Sequence, residues 1–66
     1  MTHTTRILIE HIRDMGYTMT TTHVDGQDVV EAISDKTGER FVARTRDTYT
    51  AACEVAAMVG IELEDG

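Results

Sequence analysis

The chain contains one cysteine, Cys53, so no internal disulfide can form and a reducing, cytoplasmic setting is expected. No apolar run approaches the roughly 18–20 residues that a membrane span requires, and no membrane association is expected. The N-terminus, Met1-Thr2-His3-Thr4-Thr5-Arg6, lacks the basic, apolar and small-residue zones of a signal peptide. There is no glycine-rich phosphate loop; of the five glycines, Gly16, Gly26, Gly38 and Gly60 fall at expected turns and helix ends. Residues 47–66 contain no lysine or arginine at all.

What is present is short and acidic: 66 residues with twelve aspartates and glutamates against six lysines and arginines, a net charge of −6. A chain of this length is read as one domain over residues 1–66. Such a domain buries only about 60% of the surface its unfolded chain exposes, so its stability should be marginal. It has little room for a deep pocket of several hundred Å³, which argues against an enzyme. A hydrophobic content of 41% with ordinary charge density argues for a folded chain.

Periodicity predicts the order α-β-β-β-α, an α+β fold with a three-stranded antiparallel sheet packed with two helices. Ile7, Leu8, Ile12 and Met15 share one helical face, with Thr4 or Thr5 as cap and Gly16 at the end. Tyr17 to Val24, YTMTTTHV, is β-branched and alternating, a strand. After the Asp25-Gly26 turn, Asp28 to Ser34 forms a second strand. Asp35-Lys36-Thr37-Gly38 is a hairpin turn leading to a third, Glu39 to Arg46, with Phe41 and Ala43 inward. Asp47 or Thr48 caps a second helix running to about Val59, ended by Gly60, with Ala52, Val55, Ala56 and Val59 buried. Ile61 and Leu63 are expected to fold back onto the core.

The charge comes in blocks. Residues 1–24 cancel, residues 25–35 sum to −4, residues 36–46 to +3 and residues 47–66 to −5. The second and third blocks form one hairpin, where opposite charges can face each other for roughly 0.2–1 kcal/mol per pair. Two registers are open: one pairs Ile33 with Phe41, the other pairs Glu31 with Arg44. In the first helix Arg6, Glu10 and Arg13 have neighbour spacing and can neutralise one another. The last block has no internal counter-charge. A net charge of −6 can serve solubility alone. It can also imitate nucleic-acid phosphates and occupy a basic groove built for DNA or RNA.

Other chemistries find little support. His3, His11 and His23 lack paired metal-ligand spacing, and a zinc site needs three or four convergent ligands. His11 reads as an edge-of-core residue, and Cys53 between alanines as a packing residue. No cofactor is expected. The element order is also that of double-stranded RNA-binding domains, which grip phosphates with lysines at the start of the second helix. Here that position reads Asp47-Thr48-Tyr49-Thr50-Ala51-Ala52, without a base, so direct nucleic-acid binding is not expected.

Asp47-Thr48 followed by Ala51-Ala52 and Ala56-Ala57, with Met15-Gly16-Tyr17 before the first strand, is similar to small phage-encoded α/β sandwich proteins and to HicB-type antitoxin folds. In length, acidity and element order the whole chain resembles small acidic anti-CRISPR proteins of phages and mobile elements that inhibit type I-C systems. That resemblance implies a monomer that binds Cas proteins of the Cascade surveillance complex and blocks target DNA by mimicking it. It carries no residue-level motif. The contact residues follow from charge instead: Glu54, Glu62, Glu64 and Asp65 first, then Asp25 and Asp28. The alternative function is an antitoxin or regulatory subunit that neutralises a basic partner and dimerises through a sheet edge.

Overall fold

The computed structural model describes residues 3–61. The order is α1 (His3–Asp14), β1 (Tyr17–Val24), β2 (Gln27–Ser34), β3 (Arg40–Thr45) and α2 (Thr48–Met58). The strands form an antiparallel sheet in the order β1-β2-β3. The α+β architecture read from the sequence is therefore the one observed.

Both helices cover the same sheet face, because the inward rows are the buried ones. Met19, Val30, Ala32 and Ala43 from the strands meet Ile9 and Ile12 of α1 and Ala51, Ala52, Val55 and Ala56 of α2. Phe41 packs against this core and meets Tyr17 edge-on, with ring centroids 6.1 Å apart. Five of the ten core residues are alanines. Small side chains let α2 lie close on the sheet, but they leave the core thin. The opposite face, carrying Thr18, Thr20, Thr22, Val29, Glu31, Ile33, Arg40, Val42 and Arg44, has no helix over it among the described residues.

The first helix departs from the expected stripe. Ile7 and Met15 are half exposed, whereas Thr5, Ile9 and Ile12 are buried and Leu8 partly so. The spacing i, i+4, i+7 defines a straighter helical face than Ile7, Leu8, Ile12 and Met15. Thr4 and Thr5 lie inside the helix, which already includes His3, so neither is its cap. His11 is exposed and does not line the core.

The turns set both registers. Asp25 and Gly26 have φ of 52° and 76°, the positive values that a two-residue mirror-image hairpin turn requires at both central positions. Val24 then pairs with Gln27 and His23 with Asp28. At the second hairpin Ser34 N–H donates to Glu39 O, and Gly38 N–H to Ser34 O, both at 2.8 Å. This four-residue loop places Ala32 opposite Phe41 and Glu31 opposite Val42. Neither register expected from the sequence occurs. The consequence is large, because a one-residue shift exchanges faces. Val30 and Ala32 point inward, while Glu31 and Ile33 stand on the uncovered face.

The second helix ends as its sequence suggests. Asp47 is the N-cap, its carboxylate accepting from Thr50 N–H at 2.7 Å and from the Thr50 hydroxyl at 2.8 Å. At the other end Ile61 N–H donates to Ala56 O and Gly60 N–H to Ala57 O. This double-bonded cap requires the left-handed conformation that Gly60 adopts at φ 89°. It also seats Ile61 against the core. Replacing Asp47 with alanine should cost about 1 kcal/mol (range about 0.5–2), read as a lower urea midpoint with unchanged slope.

Candidate functional site

The acids proposed from the charge pattern fare differently. Glu54 is exposed on α2, and Asp25 is exposed in the β1–β2 turn. Both can meet a partner. Asp28 is engaged internally: its Oδ1 lies 2.7 Å from His23 Nδ1, and its Oδ2 accepts from the Thr48 hydroxyl at 2.9 Å. Glu62, Glu64 and Asp65 lie outside the described residues.

Asp28 therefore joins β1, β2 and the first turn of α2. The signal for this contact is in the sequence: across a two-residue turn at 25–26, positions 23 and 28 must face each other. The hydrogen bond from His23, and then that from Thr48, hold the Asp28 carboxyl below its ordinary value. A folded-state value below the unfolded one stabilises the fold above about pH 4, and the contribution is lost as pH falls through the folded value. Asp28→Asn should therefore lower the urea midpoint most at pH 7. The gap from wild type should narrow by pH 3; a gap that stays constant would contradict this assignment.

A histidine held by an aspartate is also the arrangement that orients a general base. The hydroxyl beside it, on Thr48, already donates to Asp28. The surrounding hollow, lined by Thr21, Thr22, His23, Asp28 and Thr48, is shallow and open, at about 270 Å³. Among the described residues no three histidine, cysteine or carboxylate side chains converge as metal ligands. The contact thus has a structural use: it ties β1, β2 and the first turn of α2 together.

Internal neutralisation is less extensive than the charge blocks suggest. Arg40 Nε lies 3.0 Å from Glu31 Oε2, a diagonal pair on the uncovered face. Arg44 and Arg46 have no ion-pair partner among the described residues. Asp35 accepts from the Thr18 hydroxyl at 2.7 Å rather than meeting a base. In α1, Arg6, Glu10 and Arg13 form no close ion pair among the described residues; they line a groove against Ile9, Met19 and Thr21 of about 520 Å³. Chain length alone led to the expectation of no pocket of several hundred Å³; this groove arises where α1 packs beside β1.

The charge of the protein is consequently divided. Arg44 and Arg46, on and after β3, have no ion-pair partner among the described residues, whereas in sequence α2 and the residues after it carry acids only. No helix is long and apolar enough to cross a membrane among the described residues. Comparison of the chain with models of protein families, with curated proteins and with solved structures finds no significant match.

Proposed function

We propose that the protein is a non-enzymatic inhibitor that occupies a DNA-binding surface of another protein through its acidic C-terminal region. Following the resemblance to acidic anti-CRISPR proteins, the target is the type I-C Cascade complex. The observation that supports this reading is the segregation of charge: residues 47–66 hold five carboxylates and no base. Of these, Asp47 is committed to capping α2. Glu54, Glu62, Glu64 and Asp65 constitute the proposed contact set, with Asp25 as an outlying member. Asp28 is withdrawn from it, because both of its oxygens are bonded within the protein.

A basic groove attracts such a region through the same long-range field that attracts DNA, and added salt weakens both. The protein binds as a monomer and touches no nucleic acid directly. The test is a mobility-shift assay with purified type I-C Cascade and its target duplex. Prior addition of the protein should abolish the shifted band, and the protein should co-elute with Cascade on sizing. An unaltered shift without co-elution would refute the reading.

The uncovered sheet face offers some support for a second reading, an antitoxin or regulatory subunit. Val29, Ile33 and Val42 are clustered there with Arg40 and Arg44. Recovery from lysate of a single small basic protein in stable complex, in place of Cascade subunits, would favour it.

A further inference from the structure

The sheet has two edges, and they are treated differently. β3 carries Arg40 and Arg44 within six residues, the charged composition that discourages pairing with another strand. β1 has no such protection. It is eight residues long, contains no proline, lysine or arginine, and pairs with β2 at every position without a bulge. Long, regular, uncharged edges are normally avoided unless something pairs with them.

The direction of its free backbone groups follows from the turns. Gly16 O accepts from Asp35 N–H at 2.9 Å, and antiparallel ladders alternate bonded and non-bonded pairs. Thr18, Thr20, Thr22 and Val24 therefore bond to β2. Tyr17, Met19, Thr21 and His23 direct their N–H and C=O groups away from it, along an edge that no strand pairs with among the described residues. Their side chains are on the helix side of the sheet. An added strand would continue this row, and its alternate side chains would enter the groove of about 520 Å³ between α1 and β1.

The groove specifies what those side chains should be. Arg6 and Arg13 stand at its two ends, Glu10 lies between them, and Ile9 and Met19 supply apolar surface. Seven residues of helix rise about 10.5 Å, and four residues of strand span about 13 Å. Two carboxylates four positions apart on a strand therefore have a separation comparable to that of the two arginines. Glu10 disfavours a third acid at the middle position, where an apolar side chain can cover Ile9 and Met19.

We propose that β1 and the groove beside α1 form a strand-addition site for an extended segment of a partner protein, acidic–apolar–acidic at alternate positions. Main-chain bonds to Tyr17, Met19, Thr21 and His23 supply affinity, and Arg6 and Arg13 supply selectivity. None of the residues that form this site belongs to the contact set proposed for the inhibitor reading.

The test titrates the isotope-labelled full chain, observed by NMR, with the blocked heptapeptide acetyl-Thr-Glu-Thr-Val-Thr-Glu-Thr-amide. Amide shifts and slowed exchange are expected at Tyr17, Met19, Thr21 and His23, with little change along β3. The double variant Arg6→Glu/Arg13→Glu, checked for folding by circular dichroism, should weaken binding at least about tenfold. Arg44→Glu should leave it unchanged. No binding at millimolar peptide, equal binding of the lysine-for-glutamate peptide, or equal binding by the double variant would overturn the proposal. So would concentration-dependent protection of these amides without peptide, which would assign the edge to a second copy. Cascade is absent from the experiment, so its outcome is separate from that of the inhibitor reading.

Discussion

Ile12→Ala should lower the unfolding free energy by about 2–5 kcal/mol, the largest stability loss expected of any single truncation here. Ile12 is fully buried, and with Val30 and Val55 it is among the few large side chains in a core otherwise rich in alanine. The cavity left behind has small neighbours that cannot swing in to fill it. For 66 residues total stability is expected to be about 3–10 kcal/mol, so the variant should be partly or largely unfolded at 37 °C. Ile7→Ala is the matched control: Ile7 is 51% exposed, and its truncation should change stability by no more than about 0.5 kcal/mol. Urea melts of the two variants distinguish the observed helix face from the one expected from Ile7, Leu8, Ile12 and Met15. Equal losses would mean that α1 is rotated from the position described.

Replacing Glu62, Glu64 and Asp65 together with lysine should abolish interference with DNA binding. The three reversals bring the net charge from −6 to zero and turn attraction to a basic groove into repulsion. A loss of about a hundredfold or more in inhibitory potency at low salt is expected, with a smaller difference at high salt. Asp25→Lys/Glu54→Lys should give a lesser loss, because these acids are separated in the fold, one in a turn and one on α2. A triple variant that keeps its circular dichroism spectrum and inhibits like wild type would place the contact elsewhere. Asp28→Lys is not a clean test, since it breaks the bonds to His23 and Thr48 and confounds binding with folding.

The fold was legible because each element announces itself locally. Thr-rich alternation from Tyr17 to Val24, the Asp25-Gly26 turn, Asp47 ahead of an alanine-rich stretch and Gly60 after it all act within a few residues. The helix face in α1 was not read correctly. Ile7, Leu8, Ile9 and Ile12 permit more than one apolar stripe, and the choice depends on what packs above them. The turn at residues 35–38 was read correctly but the register across it was not: Ser34 pairs with Glu39, and that pairing is fixed by Ser34 bonding to Glu39 and Gly38. The candidate site was legible only as a charge inventory. Asp28 looked like any surface acid until pairing set it against His23.

By itself the sequence determined the element order, the turn at Asp25-Gly26 and the stretch after Arg46 that carries acids but no lysine or arginine. These depend on backbone propensity, capping and composition, which act over short distances along the chain. The Asp25-Gly26 turn already implies that Asp28 faces His23, but the tertiary structure alone decided that Thr48 of α2 also binds Asp28 and that Glu31 is spent on Arg40. It also decided which edge is left open. β1 lies unprotected beside a groove because α1 packs over it, while Arg40 and Arg44 guard the other side. Register and packing bring together residues distant in sequence, and neither is encoded in the order of charges alone.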